Sequence, residues 1–582
     1  ALDLLAHHGS GFVVYRILPG GSGIEPLFEA QAPILALAPV LVDPAQGPSV
    51  MAAVAREGQA PELVLWPAGQ GRHQFVALDP TGMNSKADGM RSNASGIGTQ
   101  VVARVGERWS IVDRLDDHGG PGQSLQPMVL GLGDGEFVDF IKLYWSDGVL
   151  QTEMALAPGE VHRIEEFQRQ LASCPVLFAW NGERFDFVSD ILGVGGIGFF
   201  QSPGVYAEPR PWEYFRFPEG TALPKEGRYP IKITEPMQEI AYIDTTRLHL
   251  YDLPKGWSVA LDERMFTGGG PMPDGSPIFY EPAKKRFPIR AINDRGDDVV
   301  DALLTTDGVA ADVGERDPRF LGRLSAPHVL ELDFGEVINP IDSNPVLWAS
   351  GWVEYPYSQT VFAAWQADAS YDPPSLSAYH DGIWSPVYAS FGYPAGMPRE
   401  MTLPLNELPP NTTKLRIEGN WEVYWDSIAI IEAEPMPAGA EVHVLSPIEA
   451  RLAKTGFARR DTLAQRRPYY DYNDRAAFWD TQYQSGYYTS LGPVMELVSE
   501  ANNAFAIIGP GEELHLEFPA PSQSTSGQRV VVLETRGYAK DKDLYTKDGA
   551  TVGPMPFTPG VGDLATREAL HERYMTRYQG GF

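Results

Sequence analysis

Val329-Leu330-Glu331-Leu332-Asp333-Phe334 is the stretch that decides the fold class, because apolar and acidic side chains alternate through most of it. Successive side chains of a β-strand point to opposite faces of the sheet, so the alternation predicts a strand with one buried face. Lys414-Leu415-Arg416-Ile417-Glu418 alternates in the same way, and Pro373-Pro374 marks a loop between the two stretches. Together they predict a jelly-roll-like β-sandwich over residues 326–436.

Short strands of this kind are predicted along most of the chain. The 59 Gly and 50 Pro residues favour many turns, and so many short strands. The predicted strands outside the sandwich are residues 12–15, 34–37, 50–54, 63–66, 75–78, 176–180, 185–188, 229–233 and 248–251. Few helices are expected, at residues 165–171, 446–454 and 563–578. The second of these begins at Ser446-Pro447-Ile448-Glu449, which has a capping Ser, a Pro and a Glu in the order typical of a helix start.

The composition excludes several classes of protein. The formal net charge of −30 disfavours binding to nucleic acid and to acidic membrane surfaces. No apolar run is long enough to span a bilayer, so we expect no membrane insertion. The single cysteine, Cys174, cannot form an intramolecular disulfide or a thiolate zinc cluster. It lies beside an apolar strand, which favours a small buried hydrophobic residue over a reactive thiol.

The resemblance to a known family begins at Asn93-Ala94-Ser95-Gly96-Ile97-Gly98-Thr99-Gln100-Val101. Gly120-Pro121-Gly122-Gln123-Ser124, Leu130-Gly131-Leu132-Gly133 and Leu143-Tyr144-Trp145-Ser146-Asp147-Gly148 follow in the order of the family pattern. This succession resembles the ASPIC/UnbV domain, named in part for a cartilage acidic secreted protein and found in many large bacterial proteins. Ser146-Asp147 stands where the family usually has Pro-Ser.

The resemblance implies a multidomain, mainly β architecture. FG-GAP/VCBS-type propeller blades usually precede an ASPIC/UnbV domain, and two blades are too few to close a propeller, so we expect an incomplete one. Blades of that type often carry a D-x-D-x-D-G calcium loop, of which residues 42–47 keep one Asp. We therefore expect propeller-type blades at 1–80, the ASPIC/UnbV domain at 81–172, a β module at 173–325, the sandwich at 326–436 and a β module with helices at 437–582.

Motifs for chemistry are scarce. Gly193-Val194-Gly195-Gly196-Ile197-Gly198 matches the dinucleotide pattern G-x-G-x-x-G, but a loop follows it rather than a helix, which favours a turn. The acidic runs 293–298 and 541–543 do not supply a full set of calcium ligands, so calcium stays open and no cofactor is evident. The sequence contains no H-E-x-x-H, Walker A or G-x-S-x-G motif, which favours a protein that is not an enzyme.

Aromatic residues concentrate in the predicted sandwich. Six of the 13 Trp lie between residues 348 and 425, in the company of several Tyr. Sugar rings stack on aromatic planes, so this region is a candidate glycan site, whereas a core built on aromatic side chains is the alternative. The candidate binding residues are Trp352, Tyr355, Tyr357, Trp421, Tyr424 and Trp425. A second cluster, at Tyr469, Tyr470, Tyr472, Tyr483, Tyr487 and Tyr488, suits either contacts with a partner or loop packing.

These observations favour a noncatalytic binding or scaffolding protein of the periplasm or the extracellular space, with a glycan or protein partner. Two alternatives stay open. One is a carbohydrate-active or other hydrolytic enzyme with carboxylates in a cleft, because such carboxylates lie far apart in sequence. The other is a structural subunit of an extracellular assembly, which would form an oligomer or a larger array.

Overall fold

The computed structural model describes residues 3–18, 22–69, 73–83, 92–115, 126–166, 174–340, 343–476, 482–522 and 527–580. The chain divides into two compact units, Ala1–Arg169 and Gln170–Phe582, and each is described by itself. Strands hold 51% of the residues and helices 7%, so the prediction of a mainly β, multidomain protein with few helices is confirmed. The helices of the described residues include none that is both long and apolar enough to cross a membrane.

The first unit is built from short strands that pair antiparallel, except that β13 pairs with β7 in parallel. Residues up to 66 form two three-stranded meanders, β1-β2-β3 and β4-β5-β6. The strands of this unit are β1 (Asp3–His8), β2 (Gly11–Ile17), β3 (Ile24–Gln31), β4 (Ile34–Asp43), β5 (Gly47–Val54), β6 (Glu62–Trp66), β7 (Gln74–Thr81), β8 (Gln100–Val105), β9 (Arg108–Asp113), β10 (Met128–Gly133), β11 (Val138–Tyr144), β12 (Leu150–Leu156) and β13 (Val161–Glu165).

The rest of the first unit has two small sheets, β10-β7-β13 and β12-β11-β8-β9, around one core. The family motif makes the turn that leads into β8. The Asn93 side chain accepts from the Ile97 N–H at 2.9 Å and donates to the Ile97 carbonyl at 2.7 Å. Gly96 has φ +64°, and a Cβ there would lie 2.3 Å from the Pro80 carbonyl oxygen, so only glycine fits. The motif residues 120–124 lie outside the described residues.

The second unit holds the remaining strands and the helices α1 (Ser358–Gln366), α2 (Met495–Val498) and α3 (Leu564–Tyr574). Before α1 the strands are β14 (Val176–Trp180), β15 (Phe185–Asp190), β16 (Phe200–Ser202), β17 (Val205–Tyr206), β18 (Trp212–Arg216), β19 (Arg228–Thr234), β20 (Glu239–Pro254), β21 (Ser258–Leu261), β22 (Arg264–Met265), β23 (Pro277–Tyr280), β24 (Arg290–Asn293), β25 (Arg323–Asp333) and β26 (Pro345–Val353).

After α1 the strands are β27 (Ser375–His380), β28 (Ile383–Tyr388), β29 (Tyr393–Pro394), β30 (Arg399–Pro404), β31 (Lys414–Trp421), β32 (Val423–Glu432), β33 (Glu441–Leu445), β34 (Glu449–Lys454), β35 (Phe457–Thr462), β36 (Pro468–Ala476), β37 (Gly486–Tyr488), β38 (Gly492–Pro493), β39 (Ala506–Ile508), β40 (Glu512–Pro519), β41 (Gly527–Asp541) and β42 (Arg577–Gln579). Short 3-10 turns lie at Gly193–Gly195, Pro282–Lys284, Val300–Leu303 and Ala464–Arg466. The first of these falls on the G-x-G-x-x-G pattern, and β16 rather than a helix follows it, as the sequence predicts.

Two large sheets form the main core of this unit. The six-stranded sheet runs β15-β14-β19-β40-β34-β38, and the five-stranded sheet runs β18-β41-β20-β33 with β39 beside β20. Apolar side chains of both sheets share one core, which includes Ile231, Leu250, Leu516 and Leu533. Strands of the predicted segments 173–325 and 437–582 pair with each other in both sheets, so the two segments build one structure.

A second pair of sheets, β24-β25-β31-β27-β28 and β30-β26-β32, forms what we call the two-sheet module, residues 290–432. Inward side chains of both sheets share a core that includes Leu330, Leu347, Leu415 and Ile428. The alternation at 329–334 predicts this burial correctly, since Leu330 and Leu332 are buried whereas Glu331 and Asp333 are half-buried.

One of the predicted helices is wrong. Residues 449–454 form strand β34, which pairs with β40. Ala450 and Leu452 are buried and their neighbours Glu449 and Arg451 are exposed, a period of two that outweighs the helix-start signal at Ser446. The prediction at 165–171 falls partly on residues outside the description, and Glu165 ends β13.

The C-terminal helix prediction is confirmed as α3. Asp563 caps it, because its side chain accepts from the Thr566 N–H. His571 fastens this helix to the core, since its Nε2 accepts a hydrogen bond from the Phe505 N–H at 3.1 Å. Burial, with the charge of Arg567, lowers the pKa of His571 to about 4, which keeps the imidazole neutral and able to accept.

We expect the His571 contact to make stability depend on pH. The folded-state pKa lies below the ordinary value of about 6.5, so the unfolded chain binds more protons between about pH 6.5 and 4. The contribution of His571 to the free energy of unfolding is therefore complete above about pH 6.5 and falls as the pH drops towards 4. Urea unfolding at several pH values gives the free energy of unfolding as a function of pH. Between pH 4 and 6.5 this free energy should change less with pH in His571→Gln than in the unaltered chain. An equal slope in both would contradict this assignment.

Candidate functional site

The six candidate binding residues lie in or against the core of the two-sheet module. Trp352 is 0% exposed, Tyr424 4% and Trp425 3%. Trp352 and Tyr424 are cross-strand partners on β26 and β32, and their rings stack with centroids 5.5 Å apart. The Trp352 Nε1–H donates to the Gln465 carbonyl at 2.8 Å, so even its polar edge is satisfied internally.

The other three candidates are covered as well. Tyr355 is 7% exposed and Tyr357 3%. Trp421 is half-buried, with the ring centroid of Tyr371 at 5.6 Å and that of Tyr393 at 4.8 Å. Five of the six are buried, which leaves little ring surface for a sugar, and Trp421 packs against the same core. Core packing, the alternative given by the sequence, accounts for their positions.

Two carboxylates of the same region also lie inside. The side chain of Glu354 is 0% exposed and that of Glu422 2%, and Arg466 connects them, with Nη1 3.4 Å from Glu354 Oε2 and Nε 3.2 Å from Glu422 Oε1. The Tyr424 hydroxyl donates to Glu422 at 2.5 Å. Burial raises the pKa of Glu354 well above its usual range, although the charge of Arg466 lowers it.

This arrangement is a structural contact rather than a reactive cleft. The Glu354 and Glu422 carboxylates meet a guanidinium and a phenol, whereas hydrolysis would need water and substrate between them. Arg466 belongs to the turn between β35 and β36, and its neighbour Gln465 exchanges two hydrogen bonds with the backbone of Ala310. The charged cluster therefore holds this turn against the two-sheet module.

Removing the cation from this cluster should be costly. We expect Arg466→Met to lower the free energy of unfolding by about 3–5 kcal/mol, because it removes the guanidinium that pairs with both buried carboxylates. Arg459→Met is a matched control on the same hairpin: Arg459 pairs with Asp474 at 3.2 Å, and both side chains are more than half exposed. That pair should contribute at most about 1 kcal/mol. Urea unfolding measures the loss of unfolding free energy in each variant. Equal losses in the two would show that the buried cluster does not stabilise the contact between this turn and the module.

The outer face of the five-stranded sheet carries two half-buried aromatic rings, those of Tyr379 and Trp384. We call it the aromatic face and define it by Glu331, Tyr379, Trp384, Lys414 and Arg416, all half-buried. Tyr379 is the cross-strand partner of both Trp384 and Lys414, and Glu331 is the partner of Arg416. Direct partners point to the same side of a sheet, so these side chains form one surface.

The geometry of the aromatic face is set by ring and charge contacts. The Tyr379 and Trp384 ring centroids are 5.3 Å apart with an interplanar angle of 57°, and the Arg416 guanidinium carbon lies 4.1 Å from the Trp384 ring centroid. Arg416 Nε donates to Glu331 Oε1 at 3.1 Å. The Lys414 Nζ lies 2.7 Å from Asp333 Oδ2.

The ion pair with Lys414 favours the charged form of Asp333. Burial acts to raise the pKa of Asp333, but the hydrogen bond and charge of Lys414 and the Gly335 N–H outweigh it and hold the pKa below its usual range. The result is a surface with two aromatic rings beside fixed donors and acceptors.

The sequence contains a signal for this face. Leu376 and Ala378 alternate with Ser377 and Tyr379, so a core-facing and an outward-facing set could be separated along β27. A count of aromatic residues per segment does not separate core-facing from outward-facing side chains. It selects instead the six candidates that pack in or against the core.

Comparison with protein families supports the sequence resemblance. Residues 89–171 match the model of the ASPIC and UnbV family. The chain contains an ASPIC and UnbV domain. That domain spans β8 to β13 of the first unit, and the rest of the chain, including the two-sheet module, lies outside the match.

Other comparisons add little. A search of curated proteins finds no match to this chain. Among solved structures, the chain is similar to a crystal structure of a GH31 alpha-xylosidase from Xanthomonas citri, with 10% sequence identity and a TM-score of 0.13. The alignment covers 91% of this chain and 38% of the xylosidase. A TM-score this low carries no argument about fold or activity.

The part of the chain that the structure describes contains no group of three or more His, Cys, Asp or Glu side chains arranged to hold a metal ion. The acidic run at 293–298 is used within the protein: Asn293 Oδ1 accepts from the Arg295 and Asp297 N–H groups, and Arg295 pairs with Asp312 at 2.7 Å. Cys174 is 5% exposed, which confirms the prediction of a buried residue.

Proposed function

We propose that this protein is a noncatalytic binding protein whose ligand is a glycan, held on the aromatic face of the two-sheet module. The observation that supports it most directly is the pair Tyr379 and Trp384, two accessible rings 5.3 Å apart beside Arg416 and Glu331. Sugar rings present C–H faces that stack on aromatic planes, and their hydroxyls need donors and acceptors at the edges of the rings. The aromatic face offers both.

The rigidity of the face favours binding. All five of its defining residues lie on strands β25, β27, β28 and β31, which pair with one another in one sheet. Side chains fixed by a sheet and by ion pairs lose little freedom when a ligand binds, and less binding free energy is lost to ordering.

Other parts of the proposal come from the family resemblance. They are the propeller-type blades at 1–80, a location in the periplasm or the extracellular space, and a scaffolding role with a protein partner. The two meanders of the first unit and the net charge of −30 are compatible with them.

Binding to an immobilised panel of neutral and acidic glycans tests the proposal. We expect Trp384→Ala to lower the affinity for the bound glycan at least tenfold, because it removes the larger of the two stacking rings; tenfold corresponds to about 1.4 kcal/mol. Trp365→Ala is the matched control, since Trp365 is 47% exposed on α1, away from this sheet. It should leave the affinity unchanged.

Thermal unfolding of each variant separates a lost ligand contact from a lost fold. No glycan bound by the unaltered chain, or equal affinities of folded Trp384→Ala and Trp365→Ala, would refute the aromatic face as a glycan site. Turnover of a bound glycan, lost in a single Asp or Glu variant, would instead favour the hydrolase alternative.

A further inference from the structure

A second group of polar side chains lies on the six-stranded sheet of the second unit, unconnected to the aromatic face. Lys232 on β19 is the cross-strand partner of His515 on β40 and of Phe178 on β14. Glu513 on β40 is the partner of Thr234 on β19. Direct partners share a face, so Lys232, His515, Glu513 and Thr234 line the side of the sheet that faces away from the main core.

These side chains form an ordered chain of contacts. The Lys232 Nζ lies 2.6 Å from His515 Nδ1, and since an ammonium can only donate, Nδ1 is the acceptor. His515 Nε2 then carries the hydrogen and lies 2.7 Å from Glu513 Oε1. Glu513 also accepts from the hydroxyls of Tyr472 at 2.8 Å and Thr234 at 2.9 Å.

The position of the imidazole distinguishes this arrangement from an ordinary ion pair. In a structural Lys–Glu pair the ammonium contacts the carboxylate directly. Here His515 lies between the two groups and can take a proton from Lys232. The resulting imidazolium would lie beside the Glu513 carboxylate, whose side chain is 0% exposed. The same order of nucleophile, imidazole and carboxylate activates the nucleophile in hydrolase triads.

The surroundings make the Lys232 ammonium easier to deprotonate than an exposed one. Burial lowers the pKa of Lys232, although Glu513, Glu517 and Glu449 act to raise it, and Arg451 adds to the lowering. Burial acts to raise the pKa of Glu513, but its bonds with His515, Tyr472 and Thr234 hold the pKa below its usual range, so the carboxylate stays charged. The Phe185 ring centroid lies 5.1 Å from the Lys232 Nζ, so an apolar ring borders the amine, although its π face also attracts the ammonium.

We propose that Lys232 is a reactive amine that forms an imine with apolar aldehydes, with His515 as its base. The Lys232 ammonium gives one proton to His515, and the freed nitrogen lone pair forms a bond to the carbonyl carbon while the C=O π pair moves to oxygen. The nitrogen passes one of its two remaining protons to that oxygen, and the His515 imidazolium returns the proton it took, so the oxygen leaves as water. The balance is ammonium plus aldehyde to protonated imine plus water, and it needs no oxidant or reductant.

Reductive trapping on the full chain tests this. The protein is treated with benzaldehyde and sodium cyanoborohydride at pH 7, and peptide mass spectrometry gives the rate of benzylation at each lysine. We expect Lys232 to react at least ten times faster than Lys255, which is exposed and serves as the internal reference. His515→Gln should reduce the Lys232 rate to that of Lys255.

His443→Gln is the matched control, since His443 is a half-buried histidine 3.5 Å from Asp252 on the other large sheet. It should leave the Lys232 rate unchanged. Equal rates at Lys232 and Lys255 in the unaltered chain would overturn the proposal, and so would a fast Lys232 in folded His515→Gln. Circular dichroism of each variant verifies that the fold persists.

Discussion

The pairing of β20 with β41 is the constraint on which the second unit depends. The two strands are antiparallel from the Glu239–Asp541 pair to the Pro254–Gly527 pair. More than 270 residues separate the strands in sequence, so closing this loop costs conformational entropy that only an extensive set of backbone hydrogen bonds and buried contacts can offset. The whole two-sheet module is inserted within this loop, and its position relative to the larger sheets follows from the pairing.

A buried ion pair then ties the inserted module to those sheets. Arg399, at the start of β30, donates to Glu213 of β18 at 2.8 Å and to the Asp190 carbonyl at 2.6 Å, and the Arg399 and Glu213 side chains are at most 2% exposed. Burial raises the pKa of the Asp190 carboxyl to about 6, partly offset by Arg399. Such a cluster adds less to stability than apolar packing would. Its charged partners must meet inside the protein, which favours one arrangement of the two-sheet module against the large sheets.

Some strands were predictable from a local pattern, which is an alternation of period two at residues 414–418 and a continuous apolar run at 176–180. Residues 176–180 are strand β14 in both the prediction and the structure, and residues 414–418 lie within β31. The partners were not predictable, because nothing local in β19 indicates that it pairs with β40 nearly 300 residues later. The Lys232, His515 and Glu513 group depends on that pairing. At 446–454 the local capping signal was misleading, because residues 449–454 form a strand that pairs with β40.

The aromatic face shows why a regular alternation is not enough even when the strand is right. Trp384 and Tyr388 lie four residues apart on β28, and a period of two would place both rings on one side of the sheet. The register of β28 against β27 shifts between the Leu376–Tyr388 pair and the Ser377–Pro386 pair, which leaves one extra residue on β28. This bulge turns Tyr388 into the core and leaves Trp384 outside, beside Arg416. The accessible ring of the proposed glycan site therefore depends on one inserted residue, which the pattern of apolar positions does not reveal.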